Sequence, residues 1–238
     1  MAARTAGKNV PPFGCLAVGR GNDLAYGVGI PQGLEEGCAL LAEPRYKPMD
    51  VGRVTGGDYP DGRYFGNGIG IGFDTIVGLE AAKMTHVHGF LAYVFGALKT
   101  LITYPAPPRL ELLFNGERMD RRTPQLSVMN GTRMGGTFFM APEAKNDDGL
   151  FDLCMASDVS RGRLLSIIVK YTKGTQAESP DIWFGRTAEL TIRALDGFLV
   201  VHADGETICI DGRELKVECL KHQITAVCGE GNVQTEVS

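Results

Sequence analysis

Three short segments hold carboxylates or glycines at spacings that suit catalysis or anion binding. His202-Ala203-Asp204-Gly205-Glu206 sets two carboxylates around one glycine. Asp204-Gly205 is most simply a turn. Glu206 would stand at its edge, where a carboxylate in a cleft could accept a proton. Asn146-Asp147-Asp148-Gly149 places adjacent carboxylates before a glycine. That pattern suits a hairpin turn, and it also suits a hard cation, which takes oxygen ligands from carboxylates and carbonyls. Gly19-Arg20-Gly21-Asn22-Asp23 follows a short apolar run and precedes a helical pattern. Its backbone N–H groups could point at a phosphate, or Asn22 or Asp23 could simply cap a helix starting at Leu24.

Other chemistries find less support. Gly19-x-Gly21 meets Leu24 where a dinucleotide fingerprint needs its third glycine, and Gly68-x-Gly70 meets Phe73. A Walker A lysine pattern is missing too. His86-x-His88 could hold a metal, but no carboxylate or thiol falls at a supporting spacing, so an exposed loop pair is the plainer reading. Cys15, Cys38, Cys154, Cys209, Cys219 and Cys228 form no C-x-x-C and no disulfide framework. They read as reduced, largely buried thiols of a cytosolic protein.

The elements that would position these groups are legible in outline. A short strand at 13–18 leads to the glycine-rich turn, and a second helix covers 34–42, stopping before Pro44. From Asp50 the character changes. Runs at 51–55 and 63–71 flank a turn that includes Asp61-Gly62 and read as a hairpin. Residues 89–104 read as one helix, apolar nearly all round. Strands follow at 109–114, 125–130 and 150–156. The tail alternates through 190–194, 198–202, 207–210, 215–219 and 224–228, with Asp204-Gly205 and Asp211-Gly212 as hairpin turns. Consecutive hairpins predict an antiparallel meander, and so a β-sandwich or a twisted open barrel.

Composition narrows the class. The chain has 238 residues, 44% hydrophobic and 22% charged, which excludes general disorder. Glycine is the outlier: 32 residues, where an average composition would give about 7%. The net charge of −4 argues against nonspecific nucleic-acid binding, which needs a surplus of Lys and Arg. No run of 18 apolar residues predicts a membrane-spanning helix, and residues 1–10 lack the apolar stretch of a secretory signal.

Taken together, the segments resemble the diacylglycerol kinase-like lipid kinases, in particular their bacterial branch. Gly19-Arg20-Gly21-Asn22-Asp23-Leu24-Ala25 resembles that family's GTGNDFA element. Tyr64-Phe65-Gly66-Asn67-Gly68-Ile69-Gly70-Ile71-Gly72-Phe73-Asp74 is similar to its F-x-N-x-x-x-x-G-x-D-A strand. Met129-Asn130-Gly131-Thr132-Arg133-Met134-Gly135-Gly136 is similar to N-G-x-x-x-G-G. Ala141-Pro142, followed by Asp147-Asp148-Gly149-Leu150-Phe151-Asp152, resembles A-P-x-A-x-x-D-D-G-L-L-D, and Asp204-Gly205-Glu206 matches D-G-E. Five motifs in order, across residues 14–229, make the resemblance specific.

The resemblance implies an α+β architecture. An antiparallel β-sandwich C-terminal domain over 49–238 would follow a remnant, 1–48, of an α/β NAD kinase-like nucleotide-binding domain. The last segment would pack back on that remnant. It implies phosphoryl transfer from ATP, with Mg²⁺, to the hydroxyl of diacylglycerol or a similar lipid. Glu206 would be the general base. Gly19, Arg20, Gly21, Asn22 and Asp23 would face the nucleotide or its metal. Asp148, with the carbonyls of Lys145 and Leu150, would hold a structural Mg²⁺. Partners would be the lipid, a membrane surface touched transiently, and a second copy of the chain, in a cytoplasmic and peripherally membrane-associated setting. The family's G-G-D-G-T nucleotide loop has no counterpart upstream of residue 19; only Gly56-Gly57-Asp58 occurs, downstream. A non-catalytic β-domain that binds lipid or protein is therefore the rival expectation.

Overall fold

The structure, a computed structural model, describes residues 10–19, 21–82, 96, 99–100, 103 and 106–229. Arg20, the His86-x-His88 pair and most of the helix expected at 89–104 lie outside the described residues. Twelve strands are described. They are β1 (Arg45–Gly56), β2 (Tyr59–Phe65), β3 (Gly68–Gly72), β4 (Arg109–Phe114), β5 (Glu117–Arg122), β6 (Gln125–Met129), β7 (Phe151–Ala156), β8 (Ile182–Thr187), β9 (Glu189–Ala194), β10 (Leu199–Ala203), β11 (Glu206–Gly212) and β12 (Glu214–Cys228). The helices named below are α1 (Asp23–Gly27), α2 (Leu34–Ala42), α3 (Phe73–Ala82) and α4 (Arg161–Lys173).

The strands form two six-stranded antiparallel sheets, ordered β2-β1-β12-β9-β4-β5 and β11-β10-β3-β6-β7-β8. Period-two alternation explains their meeting. Leu110, Leu112, Leu190, Ile192, Leu215 and Val217 point inward from the first sheet; Ile69, Ile71, Leu126, Val128, Leu153 and Val201 meet them from the second. Phe65 stacks on Phe151 across this core, with centroids 5.5 Å apart. The outer faces differ. On the first sheet Glu111 pairs with Arg118 and Arg193, and Arg193 also with Glu214. On the second, Met129 and Cys154 are covered by Ile167 and Tyr171 of α4. That second covering makes β6 buried along its whole length.

The sandwich and the α+β class stand as expected, with local corrections. The hairpin after residue 50 turns at Gly57-Asp58, and Asp61-Gly62 lies within β2. The run 63–71 breaks at Gly66-Asn67, where the chain passes from one sheet to the other. Asp211-Gly212 is no hairpin turn: β11 pairs with β10 in the second sheet, whereas β12 lies in the first. The two last runs are a single strand, β12, bent by an irregularity opposite Met49 and Val51. Helix α4 was hidden among the strands. Leu164, Ile167 and Tyr171 give its buried stripe, and Gly174 ends it at φ 69°.

The N-terminal segment is held by the far end of β12. The Phe13 N–H donates to the Thr225 carbonyl and the Val227 N–H to the Phe13 carbonyl, both at 2.8 Å. Ala25, Val28 and Ile30 pack on Met49 and Ala226 beside them. One close approach can be tested. Gly52 sits opposite Phe65 in the register, and a Cβ at Gly52 would collide with that ring. Gly52→Ala is expected to cost about 1–3 kcal/mol through overpacking, read as a lower midpoint in urea.

Candidate active site

The motifs are far apart in sequence and adjacent in space, and polar side chains join them. Asp204 is the anchor. It stands at φ 48°, which Asp tolerates at a turn. Its Oδ2 accepts the Gly66 N–H at 2.7 Å, and its Oδ1 accepts those of Asn67 at 3.0 Å and Gly68 at 2.9 Å. One carboxylate thus satisfies the backbone where β2 passes to β3. The Asn67 amide donates to the Arg133 carbonyl at 2.9 Å, and its backbone carbonyl accepts the N–H groups of Asn130 and Gly131. Asn130, fully buried, donates to the carbonyls of Asp50 and Gly66.

Arg133 carries the linkage to the N-terminal segment. Its Nε donates to Asp23 Oδ1 at 2.9 Å, and its guanidinium lies 3.9 Å from the Tyr26 ring centroid. Asp23 also accepts the Gly136 N–H. Burial raises the Asp23 carboxyl above its usual range, against the pull of Arg133 and of the Gly136 N–H. Asn22 gives α1 no side-chain cap. Its Oδ1 accepts the Gly19 N–H at 2.7 Å and its Nδ2 donates to Ala17, so the amide braces the loop in front of the helix. Gly21 is close-packed: a Cβ there would press on the Asp23 carboxylate.

Glu206 stands two residues beyond Asp204 with its side chain 65% exposed, paired with Arg63. Asp148 is elsewhere, on the loop before β7. Its Oδ1 accepts the Leu150 N–H at 3.0 Å, and its Oδ2 pairs with Arg186, which also bonds Asp152 at 3.1 Å. Asp50, missed as a site residue, ties this loop to the rest. Its Oδ2 accepts the Gly149 N–H at 2.5 Å and its Oδ1 the His222 N–H at 2.7 Å. A charged residue between apolar neighbours in a strand was the only sequence sign of that role. Lys145 lines a cleft of about 280 Å³ with Lys47, Asn130, Thr132 and Asn146.

For a cation, the donor set matters. Asp148 and Asp23 already face guanidinium groups, and no cluster of three His, Cys, Asp or Glu residues gathers among the described residues. The residues present do not fit a resident Mg²⁺ as they stand. Arg186 supplies the countercharge to Asp148 and Asp152. Its removal should expose both carboxylates to a hard cation. Arg186→Gln is expected to melt several degrees higher in Mg²⁺ than in chelator, and the unsubstituted protein to show a smaller difference.

Two six-stranded antiparallel sheets packed face to face, with a polar knot at Asp204, define the class: a two-sheet β-sandwich domain. The family model described as "YegS C-terminal NAD kinase beta sandwich-like domain" matches residues 67–225, and the chain belongs to that family. It is 30% identical over 207 residues to a diacylglycerol kinase of Mycobacterium tuberculosis, covering 86% of this chain and 65% of that one. It is 27% identical over 219 residues to a protein of Citrobacter koseri named probable lipid kinase YegS-like, covering 92% and 69%. A crystal structure of a Bacillus anthracis diacylglycerol kinase superposes with a TM-score of 0.62 at 18% identity, covering 89% and 64%. The chain thus spans about two thirds of the length of these relatives.

Proposed function

We propose that this chain works as a lipid kinase, moving the terminal phosphate of ATP to the hydroxyl of diacylglycerol or a lipid like it. The observation that carries the reading is the Asp204 knot. It fixes the backbone of residues 66–68 and leaves Glu206 on the rim with its carboxylate exposed. In this reading Glu206 takes the proton of the lipid hydroxyl as its oxygen attacks the γ-phosphorus. The bond to the bridging oxygen breaks and ADP leaves. Arg63, paired with Glu206 at rest, is a cation at the same rim. Positioning and charge neutralisation supply most of the catalysis in phosphoryl transfer. Gly21 and Asp23 lie at the other end of the Arg133 linkage, and in this reading the nucleotide approaches there.

The acceptor lives in a bilayer, so the chain would meet membrane surfaces transiently. No helix among the described residues is long and apolar enough to cross one. The test is transfer of labelled phosphate from ATP to diacylglycerol in mixed micelles. Label in the lipid supports the reading. Retention of lipid binding without transfer, also after an upstream nucleotide-binding segment is added, would favour a binding domain derived from a kinase.

A further inference from the structure

The outer face of the second sheet carries a cross-strand row whose members the mechanism above does not use. The register runs Thr207, His202, Gly70, Ser127, Cys154 and Phe184, from β11 to β8. Val201 and Ala203 are in the core, so His202 points outward with this row. Gly70 leaves a gap in it, and the Asp74 carboxylate fills that gap from the first turn of α3. A Cβ at Gly70 would collide with both Asp74 Oδ2 and His202 Nε2. The missing side chain is what lets the two groups meet. They lie 4.0 Å apart, at 20% and 15% side-chain exposure.

The bonding around Asp74 is uneven. Oδ1 accepts the Thr75 N–H at 2.8 Å, whereas Oδ2 is buried with no hydrogen-bond partner. The Thr75 hydroxyl already ties α3 to β3 through the Gly70 carbonyl at 2.8 Å, so Asp74 is not needed for that attachment. Tyr171 and Gln125 satisfy each other at 2.7 Å, and Gln125 satisfies Ser127, so the rest of the row makes no demand on it either. Burial raises the Asp74 carboxyl, with His202 pulling the other way. An under-bonded buried carboxylate costs stability. What faces it is the imidazole. On its far side, His202 Nδ1 accepts the Gly205 N–H at 3.3 Å. A neutral ring that accepts at Nδ1 carries its proton on Nε2, toward Asp74.

We propose that Asp74 and His202 are positioning residues for the Asp204-Gly205-Glu206 turn: the carboxylate orients the imidazole, and the imidazole holds Gly205, the residue before Glu206. The catalytic consequence rests on the lipid-kinase reading, since Glu206 is the base there; the contact itself does not. Asp204 fixes the turn from the β2–β3 side, and His202 fixes it from the sheet's outer face. The two restraints together leave the Glu206 backbone little freedom.

The experiment uses the full chain and has one arm that needs no activity. Nitrogen-15 NMR of the neutral His202 ring should show the proton on Nε2. Exchange of the Gly205 amide should be about fivefold faster in His202→Phe, in keeping with loss of one neutral hydrogen bond. His202→Asn, whose Oδ1 can replace Nδ1 as acceptor, should return exchange toward the unsubstituted rate. Asp74→Asn, which removes the under-bonded charge at constant shape, should fold without a lower melting temperature. In the transfer assay, His202→Phe should lower kcat and leave KM for ATP unchanged. A proton on Nδ1, unchanged Gly205 exchange in His202→Phe, or a loss confined to KM would each overturn the proposal. Expected tautomer and exchange with no lipid phosphorylated by any version would uphold the contact and remove the lipid-kinase reading instead.

Discussion

Glu206→Gln is expected to cut phosphate transfer by about 10²–10⁴-fold, the range for loss of a positioned general base, while the fold stays intact. Glu206 is 65% exposed and its described partner is the Arg63 guanidinium. Exposed ion pairs typically contribute at most about 1 kcal/mol. The melting temperature should therefore move by no more than about 4 °C in a chain of this length. Gln keeps the shape and the capacity to hydrogen-bond Arg63 through its amide oxygen, but it does not take a proton near neutral pH. Affinity for ATP should change little, because Asp23 is separated from Glu206 by the chain of bonds through Arg133, Asn67 and Asp204. The measurement is labelled-phosphate transfer to diacylglycerol in mixed micelles, with an upstream nucleotide-binding segment of the family supplied. Near-normal turnover in Glu206→Gln would place the base elsewhere.

Two residues away the expected result is the opposite. Asp204→Ala should destabilise the protein by about 4 kcal/mol, because the N–H groups of the three buried residues Gly66, Asn67 and Gly68 lose a charged acceptor. At roughly 2–4 °C per kcal/mol, the melting temperature should fall by about 8–16 °C. Alanine also lacks the tolerance of Asp for φ 48°. Asp204→Asn keeps that tolerance and one acceptor oxygen, so its loss should be smaller. Thermal melts of the two variants beside Glu206→Gln separate the structural carboxylate from the chemical one. If Asp204→Ala melts within a degree or two of the unsubstituted protein, the three bonds are not what fixes the residues at 66–68.

The site was legible to different depths. Asp204-Gly205 between alternating runs announced a turn, and the turn is there; the same logic misplaced Asp211-Gly212. Both pairs follow apolar alternation, but Leu215 and Val217 serve the opposite sheet, and a pattern of period two does not record which sheet a strand joins. Asn22 looked like a helix cap because its residue type suits one. The neighbouring loop offered it the Gly19 N–H, and a loop N–H satisfies the same oxygen. Asp50, Asn67 and Arg133 connect the motifs; Asp50 showed only as a charge between apolar neighbours, and Asn67 and Arg133 only as members of two family-like segments, since their partners lie scores of residues away. Helix α4 was hard to read because its outer side carries Leu165 and Val169, both exposed, so its polar face is broken. Strand β5, charged at five of six positions, sits at a sheet edge where four of its six residues are exposed and Met119 packs against the core.

The position of β12 bears on the order in which the polypeptide can assemble as it leaves the ribosome. In the first sheet β12 lies between β1 and β9, pairing Arg45 with Cys228 at one end and Glu218 with Glu189 on its other side. Until residues 214–228 have been synthesised, that sheet exists only as two separate pieces, β2-β1 and β9-β4-β5, each with a bare edge. The second sheet has no such dependence, because all of its strands precede residue 213. Translation therefore completes one half of the sandwich before the other has its central strand. A pairing across some 180 residues is slow to close, since loop entropy must be met before the contacts form. During that interval the inner faces of β1, β4 and β9 are the surfaces most open to self-association. A nascent chain stalled short of residue 214 would carry them, with the Asp204 turn formed and β1 still without its β12 neighbour.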